Sequence, residues 1–185
     1  MDDIVKQAMA KWPNVPACAG WLGLGARGDW YLRDAAAQTA GPFAGAGSSA
    51  ASRGSRVEME KLCDFIGRNY EADADGRWYF QNGPQRVFVE LERAPWVLRL
   101  KRPAESQAWQ VWTHTGRQVQ AGKALHDAEG HLYLVTDAGL GLVHTQDMTL
   151  AADALEAGCW PLDEVDAAEL PRLYGYVRSP QATGI

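Results

Sequence analysis

Apolar and polar residues alternate with a period of two through the middle of the chain. Residues 76–91 contain two alternating runs on either side of Asn82-Gly83. Alternating runs that flank an Asn-Gly dipeptide predict a β-hairpin. Two further alternating runs follow at residues 95–100 and 109–114. We therefore expect this region to form an antiparallel sheet.

The first half of this hairpin has two copies elsewhere in the chain. A glycine, a polar residue, a large apolar residue, a tyrosine and a second apolar residue follow one another at 28–32, 76–80 and 130–134. The glycine at the start of each copy favours a turn before a strand. The pattern predicts one small β unit that is used three times.

Four other segments place their apolar residues at helical spacing, which predicts short amphipathic helices. These segments are residues 2–12, 55–70, 147–157 and 163–170. Residues 35–54 are instead rich in Ala, Gly and Ser, a composition typical of a flexible or disordered segment.

Together these patterns predict an α+β fold with mainly antiparallel sheets in two small lobes, repeated β-hairpin units and a few amphipathic helices. The N-terminal lobe is expected over residues 1–103 and holds a helix, a hairpin, the flexible segment, a second helix and the central hairpin. The C-terminal lobe is expected over residues 104–185, with a hairpin unit and C-terminal helices. A single integrated domain is the alternative.

Composition narrows the class of protein. The chain has 185 residues, of which 46% are apolar, and this is enough to bury a substantial core. Asp2 and Asp3 stand where a secretion signal would carry basic residues, and no run approaches the roughly 20 apolar residues that a membrane span needs. The three cysteines are isolated in the sequence, so neither a disulfide framework nor a zinc site is predicted. We expect a cytoplasmic protein that does not contact a membrane.

The net charge of −5 is unevenly distributed along the chain. No Lys or Arg lies between Lys123 and Arg172, a stretch that contains ten Asp and Glu residues. Basic residues concentrate instead between Arg86 and Arg102. An acidic half opposes binding to phosphate backbones, so nucleic acid is not expected as a partner.

Two glycine-containing patterns resemble cofactor or metal motifs and are better explained as turns. Residues 23–28 match the Gly-x-Gly-x-x-Gly pattern of dinucleotide-binding proteins, but they lead into a strand pattern instead of the required helix. Asp73, Asp75 and Gly76 match part of a calcium loop, but no glutamate stands at its twelfth position. The four histidines are scattered, and no nucleophile motif is present. We expect no cofactor, no metal and no catalytic residue of a known kind.

Polar residues cluster around the end of the second predicted helix and the central hairpin turn. The candidate ligand-binding residues are Arg68, Asn69, Asn82, Gln85, Arg86 and His114. Arginine binds carboxylate or phosphate in a bidentate manner, and amides fix its orientation. The structural alternative is that these groups tie the turn to the helix end through backbone hydrogen bonds. His114 joins them only if its strand lies beside the hairpin.

Several parts of the chain resemble known families. Residues 12–16 (Trp-Pro-Asn-Val-Pro), Gly20-Trp21-Leu22 and the segment 70–87 resemble an uncharacterised proteobacterial family of unknown function. The order of parts up to about Met148 is similar to another bacterial family of unknown function, which is built from repeated small β motifs in two lobes. A signalling or ligand-sensing role has been suggested for that family. The resemblance implies a two-lobed fold and no catalytic residues. The sequence departs from it at 35–54, where such a family would have an ordered connection.

The leading hypothesis is a non-enzymatic binding or regulatory module that recognises an anionic small molecule or a protein segment, in signalling for example. The first alternative is an enzyme of unfamiliar type that uses His114 as a base, which requires an acid within hydrogen-bond reach in one cleft. The second is a structural or homo-oligomeric protein, which an exposed patch lined by tryptophans would favour.

Overall fold

The computed structural model describes residues 1–102 and 109–184. The α-helices are α1 (Asp3–Lys11), α2 (Ala35–Thr39), α3 (Ala50–Arg53), α4 (Glu60–Arg68), α5 (Met148–Glu156) and α6 (Leu170–Tyr174). The strands are β1 (Cys18–Leu24), β2 (Trp30–Leu32), β3 (Ser55–Arg56), β4 (Tyr70–Ala72), β5 (Trp78–Asn82), β6 (Gln85–Leu91), β7 (Trp96–Lys101), β8 (Gln110–Thr113), β9 (Gln118–Val119), β10 (Ala121–His126), β11 (Leu132–Thr136), β12 (Gly139–Val143) and β13 (Leu162–Glu164). Short 3₁₀ helices cover Thr145–Asp147 and Gln181–Thr183. The predicted α+β class is confirmed.

The strands form two separate sheets. The first has six strands in the order β3-β2-β1-β6-β5-β4, and the second has seven in the order β13-β10-β11-β12-β7-β8-β9. Neighbouring strands are antiparallel except in the parallel pairs β1–β6, β7–β12 and β10–β13. The strand predicted at 95–100 therefore belongs to the second sheet and does not extend the sheet that contains the central hairpin.

Both sheets are assembled from three-stranded meanders. In the first sheet, β1-β2-β3 and β4-β5-β6 are the meanders, and the first strand of one pairs in parallel with the last strand of the other. In the second sheet, β7-β8-β9 and β10-β11-β12 are joined by the same kind of pair, between β7 and β12. The three predicted repeats lead into β2, β5 and β11, so each repeat supplies the turn glycine and the start of the middle strand of a meander.

The turns before β5 and β11 are built alike. In each, an aspartate, Asp73 or Asp127, accepts through Oδ1 the backbone N–H groups of the residues two and four positions later, at 2.8 to 3.0 Å. The glycine that follows three positions later has a positive φ, 76° at Gly76 and 83° at Gly130. Glycine adopts this conformation without steric cost, which explains the Asp-x-x-Gly pattern. The carboxylate of Asp73 serves this turn, as the sequence predicts.

Residues 35–54 connect β2 to β3 and include two short helices. A reciprocal pair of hydrogen bonds between Ser49 and Ser52 caps α3. The guanidinium of Arg33 is buried and donates to the carbonyl oxygens of Ser52 at 2.7 Å and Gly41 at 2.6 Å. The segment is therefore an ordered connection, and the flexible segment predicted from its composition is corrected. Composition alone does not reveal that a buried arginine binds its carbonyl groups.

The described chain divides into two compact units. The first unit consists of Met1–Gly25, Asp29–Arg93 and Gly175–Ile185, and the second of Ala26–Gly28 and Ala94–Tyr174. The predicted boundary between residues 103 and 104 lies outside the described residues. Within these units the chain leaves the first after Arg93 and returns to it at Gly175, so the last residues belong to the first unit and not to a C-terminal lobe.

Each unit has its own core. Buried apolar side chains of the first unit come from α1, β1, α4 and β6, and they include Val5, Leu22, Leu24, Ile66, Phe88 and Val89. Those of the second unit come from β7, β11, β12 and α5, and they include Val97, Leu98, Leu134, Leu142, Ala151 and Ala154. In each unit, burial of these side chains stabilises the packing of helices on one sheet.

Two predicted helices differ from the observed elements. The helix predicted over 55–70 is shorter, because Ser55–Arg56 pairs with β2 as β3 and α4 begins only at Glu60. The helix predicted over 163–170 is replaced by β13, which pairs in parallel with β10. In both places the hydrogen bonds of a sheet edge outweigh the local helical spacing.

Candidate functional site

Five of the six predicted site residues lie in the first unit. They are Arg68, Asn69, Asn82, Gln85 and Arg86. Arg68 and Asn69 end α4, and Asn82 and Gln85 face each other across the two-residue turn between β5 and β6. The backbone N–H of Gln81, next to this turn, donates to the carbonyl oxygen of Asn69 at 2.9 Å. The structure thus brings the helix end and the hairpin together.

The helix-end residues hold the N-terminal residues of the chain. The exposed guanidinium of Arg68 donates to the carboxylate of Asp2 at 3.3 Å. Asn69 is fully buried, its Oδ1 accepts the backbone N–H of Asp2 at 2.7 Å, and its Nδ2 donates to the Phe65 carbonyl at 2.9 Å. These bonds favour the structural alternative, in which the groups tie elements of the first unit together.

On the hairpin, the side chains of Gln85 and Arg86 also contact other residues of the first unit. Gln85 Nε2 donates to the carbonyl oxygen of Pro16 at 3.1 Å. The guanidinium carbon of Arg86 lies 4.8 Å from the centroid of the Tyr79 ring, a distance typical of a cation–π contact. The hairpin turn is therefore tied to its surroundings through a main-chain carbonyl and an aromatic ring.

His114, the sixth predicted residue, lies in the second unit. It follows β8, which pairs with β7 and β9 in the second sheet, whereas the central hairpin belongs to the first sheet. The condition for His114 to join the hairpin cluster, a strand adjacent to the hairpin, is therefore not met. The histidine belongs to a different set of residues.

His114 lines a cavity of about 630 Å³ within the second unit, which we call the His114 cavity. Its apolar lining comes from Val97, Leu100, Trp112 and Leu150. Its cationic side chains are those of Arg27, Arg99 and Lys101. A volume of this size is typical of sites for small molecules, which combine an apolar lining with a few polar groups.

One of the three cations is compensated by a carboxylate. Arg99 forms a bidentate pair with Asp147, with Nε–Oδ2 at 2.7 Å and Nη2–Oδ1 at 3.1 Å. The backbone N–H of Leu100 also donates to Asp147, at 2.9 Å. Burial by itself raises the pKa of Asp147, but the bonds from Arg99 and Leu100 outweigh it and hold the pKa below its usual value. Asp147 stands at the N-cap position of α5, but its side chain makes no cap hydrogen bond there and binds Arg99 instead.

The other two cations are available to a ligand. Arg27 and Lys101 are exposed, and neither has an ion-pair partner in the described parts of the chain. The ammonium of Lys101 lies 5.6 Å from the centroid of the Trp112 ring. The cavity therefore presents two uncompensated positive charges beside an aromatic surface.

His114 is held as a neutral imidazole. Its Nδ1 accepts the backbone N–H of Val97 at 3.2 Å, so its proton resides on Nε2. Burial lowers the pKa of His114 to about 3. Neither ring nitrogen then offers a lone pair to a substrate proton, and this geometry does not favour the enzyme alternative with His114 as general base.

Gly28 lies against His114 and has no room for a side chain. A Cβ placed on Gly28 would lie 2.9 Å from the Cβ of His114, and the φ of Gly28 is 82°. This is the last glycine of the Gly-x-Gly-x-x-Gly pattern, and it precedes β2, not a helix. The pattern therefore marks a hairpin turn, and its glycine allows close approach to the cavity wall.

A group of possible metal ligands lies elsewhere in the second unit. Ligand atoms of Asp127, Glu129 and His131 lie within 4.8 Å of one another. The Asp127 carboxylate is already engaged, since Oδ2 lies 3.0 Å from His131 Nδ1 and accepts the Tyr133 hydroxyl at 3.1 Å. The arrangement is explained by the turn before β11, and we assign no metal to it.

Sequence reasoning named His114 as a candidate but did not name the charged residues that line the same cavity. Arg99 and Lys101 were visible as part of the basic stretch that ends at Arg102. Their alternation along β7 was a usable signal, because residues two apart on a strand share a face. Arg27 carried no such signal, since only folding places its turn beside β7 and β8.

The fold defines an α+β protein of two units, each built on a sheet of paired meanders. The model of the family DUF2944, described as "Protein of unknown function (DUF2946)", matches residues 1–181. The chain belongs to this family, and the resemblance to a family of unknown function is confirmed. None of the curated proteins matches the chain.

Two solved structures are similar to the chain. A DUF1285 family protein from Silicibacter pomeroyi DSS-3 has 16% sequence identity and a TM-score of 0.49, with 76% of this chain and 72% of that chain covered. A DUF1285 family protein from Shewanella baltica OS155 has 15% identity and a TM-score of 0.47, with 72% and 91% covered. Among the described residues of this chain, no helix combines the length and apolar character of a membrane span.

Proposed function

We propose that the protein is a binding module that holds an anionic small molecule in the His114 cavity. The observation that carries this proposal is the pair of uncompensated cations, Arg27 and Lys101, on a cavity with an apolar lining. The proposal retains the class of function expected from the sequence and moves the site from the central hairpin to the second unit.

The surroundings of the cavity strengthen the argument from charge. No Lys or Arg occurs between Lys123 and Arg172, so the cations of the cavity stand out in a unit that is otherwise rich in acids. Opposite charges at close range favour a bound anion, and because Arg27 and Lys101 are exposed, the interaction has the modest strength of a solvent-exposed ion pair. The half-buried side chains of Trp112 and Leu150 supply contact for the uncharged part of the ligand.

A pair of ligands of similar size and different charge tests the proposal. Phenyl sulfate carries one negative charge, and phenyl methyl sulfone is a neutral compound of similar size. In NMR titrations at low salt, we expect phenyl sulfate to shift the amide signals of Val97, His114 and Leu150, and the sulfone to bind more weakly. Equal binding of both compounds, or shifts confined to other residues, would contradict the proposal.

Substitutions of single cationic residues show which charge contributes to the binding of phenyl sulfate. We expect Lys101→Met to raise the Kd for phenyl sulfate by about two- to fivefold, the size of a single exposed ion pair. Arg117→Met is the matched control, because Arg117 is exposed in the same unit and does not line the cavity. An equal loss of affinity in both variants would show that the whole surface, and not the cavity, attracts the anion.

A further inference from the structure

We infer that the head group bound in the His114 cavity is a dianion, either a phosphate monoester or a pair of adjacent carboxylates. This inference rests on the proposed function and goes beyond it, since an anion of single charge would satisfy the proposal above. The inference is based on the charges of the side chains that line the cavity and on the positions of the protons on its two histidines.

Two histidines line the cavity, and the backbone hydrogen bonds that their Nδ1 atoms accept favour the neutral imidazole in both. Nδ1 of His114 accepts the N–H of Val97 at 3.2 Å. Nδ1 of His144 accepts the N–H of Gln146 at 3.1 Å. A ring nitrogen that accepts a hydrogen bond carries no proton, so neither imidazole is charged in this geometry. The histidines therefore add no positive charge to the cavity.

Among the residues that the structure describes, the charged side chains of the lining sum to two positive charges. Arg27, Arg99 and Lys101 contribute three, and the buried carboxylate of Asp147 removes one. The bidentate pair with Asp147 also fixes the guanidinium of Arg99, so this neutralisation belongs to the structure and not to a ligand. A monoanion would leave one positive charge uncompensated, whereas a dianion neutralises the lining.

The apolar part of the lining selects what the dianion is attached to. Val97 and Leu100 are buried, and Trp112 and Leu150 are half-buried. A free inorganic ion would leave the accessible parts of Trp112 and Leu150 uncovered, so a dianion carried on an apolar or aromatic body fits better than a small hydrophilic anion.

The test of the proposed function compares a neutral compound with a monoanion, and a dianion is now added to that comparison. Phenyl phosphate has the shape of phenyl sulfate and carries two negative charges at pH 8, because the second ionisation of a phosphate monoester lies near pH 6. Phthalate and benzoate make the same comparison for paired carboxylates. We expect at least one dianion to bind about fivefold more tightly than its monoanionic counterpart, which is the effect of one further cation contact.

Each outcome of the titrations is decisive. A preference for phenyl phosphate over phenyl sulfate identifies a phosphate ester, and a preference for phthalate over benzoate identifies a dicarboxylate. In Lys101→Met either preference should fall to about twofold or less, while Arg117→Met keeps it. If both monoanions bind in the cavity as tightly as the dianions, the inference is wrong and the proposed function stands. If none of the four compounds binds, both are wrong.

Discussion

Arg33 shows at the scale of one residue how a charged side chain can organise a segment. It is only 1% exposed, and its guanidinium donates to the carbonyl oxygens of Gly20, Ser52 and Gly41 at 2.6 to 3.1 Å. Burial lowers the pKa of Arg33, and the nearby Glu90 acts in the opposite direction. A buried arginine is tolerated when its donors are used in this way.

His114 leads to a prediction about pH at the same scale. Its pKa of about 3 lies below the ordinary value for histidine, so the unfolded chain binds more protons than the folded one between about pH 3 and 6.5. Stability from this residue is full above pH 6.5 and falls as the pH drops. We expect the free energy of unfolding to decrease less from pH 7 to pH 5 in His114→Gln than in the parent chain.

Two measurements check this prediction. Denaturant unfolding at both pH values gives the change in the free energy of unfolding for each chain. NMR of the imidazole nitrogens gives the protonation state directly, and the signals of His114 should stay those of the neutral form with the proton on Nε2 down to pH 5. A titration of His114 near pH 6.5 would refute the assignment.

At the scale of the element, the Asp-x-x-Gly turn is the recurring device of the fold. Oδ1 of each aspartate satisfies two backbone N–H groups that would otherwise lack partners at the hairpin end. Asp127 makes further bonds to His131 and to the hydroxyl of Tyr133. In the turn before β11, the aspartate therefore makes contacts beyond the two backbone hydrogen bonds that both turns share.

The contacts of the two Asp-x-x-Gly turns predict how strongly a substitution in each turn lowers the free energy of unfolding. We expect Asp73→Ala to lower the free energy of unfolding by about 1 kcal/mol. Asp127→Ala should lower it by about 2 kcal/mol or more, because this substitution also removes the carboxylate that accepts the hydrogen bond of the buried Tyr133 hydroxyl. Asp75→Ala is the matched control, since its carboxylate is 71% exposed and pairs with Arg77; a change below about 0.5 kcal/mol is expected. Denaturant unfolding measures all three, and an equal effect of Asp75→Ala and Asp127→Ala would contradict this account.

At the scale of the whole molecule, the same topology is used in both units. Each sheet joins two meanders through a parallel pair, β1 with β6 and β7 with β12. The chain then returns to the first unit for its last residues. Glu90 is buried there, and its carboxylate accepts from Ser179 Oγ at 2.5 Å and from the N–H of Gln181 at 2.9 Å.

This return predicts the effect of ending the chain after Tyr174. Glu90 would lose both partners, and the amide of Leu91 would lose its bond to the Arg178 carbonyl, which leaves buried polar groups unsatisfied. Hydrogen exchange should become faster in β6, while amides of β12 in the second unit keep their protection and serve as the internal control. Faster exchange in β12 alone would show that the last residues stabilise the second unit instead.

The predictions from sequence succeed where the determining interactions are local. The Asp-x-x-Gly turns depend on an aspartate and a glycine within five residues, and alternation marks β5, β6, β7 and β8 correctly. The central hairpin is also present, but its turn residues are Gly83 and Pro84 and not the predicted Asn82-Gly83, because Asn82 pairs with Gln85 as the last residue of β5. The helix predicted over 55–70 is only partly observed, because Ser55 and Arg56 form strand β3 and pair with β2. Sheet-edge pairing of this kind depends on a partner far along the chain.

The sequence by itself determined the class of the fold, the repeated hairpins and the turns, because these depend on side-chain alternation and on short-range backbone preferences. Only the tertiary structure decided which strands share a sheet, how Arg33 holds residues 35–54, and that Arg27, Arg99 and Lys101 line one cavity with His114. The physical reason is that these arrangements come from pairing and burial between residues tens of positions apart, and no local pattern along the chain encodes the partner.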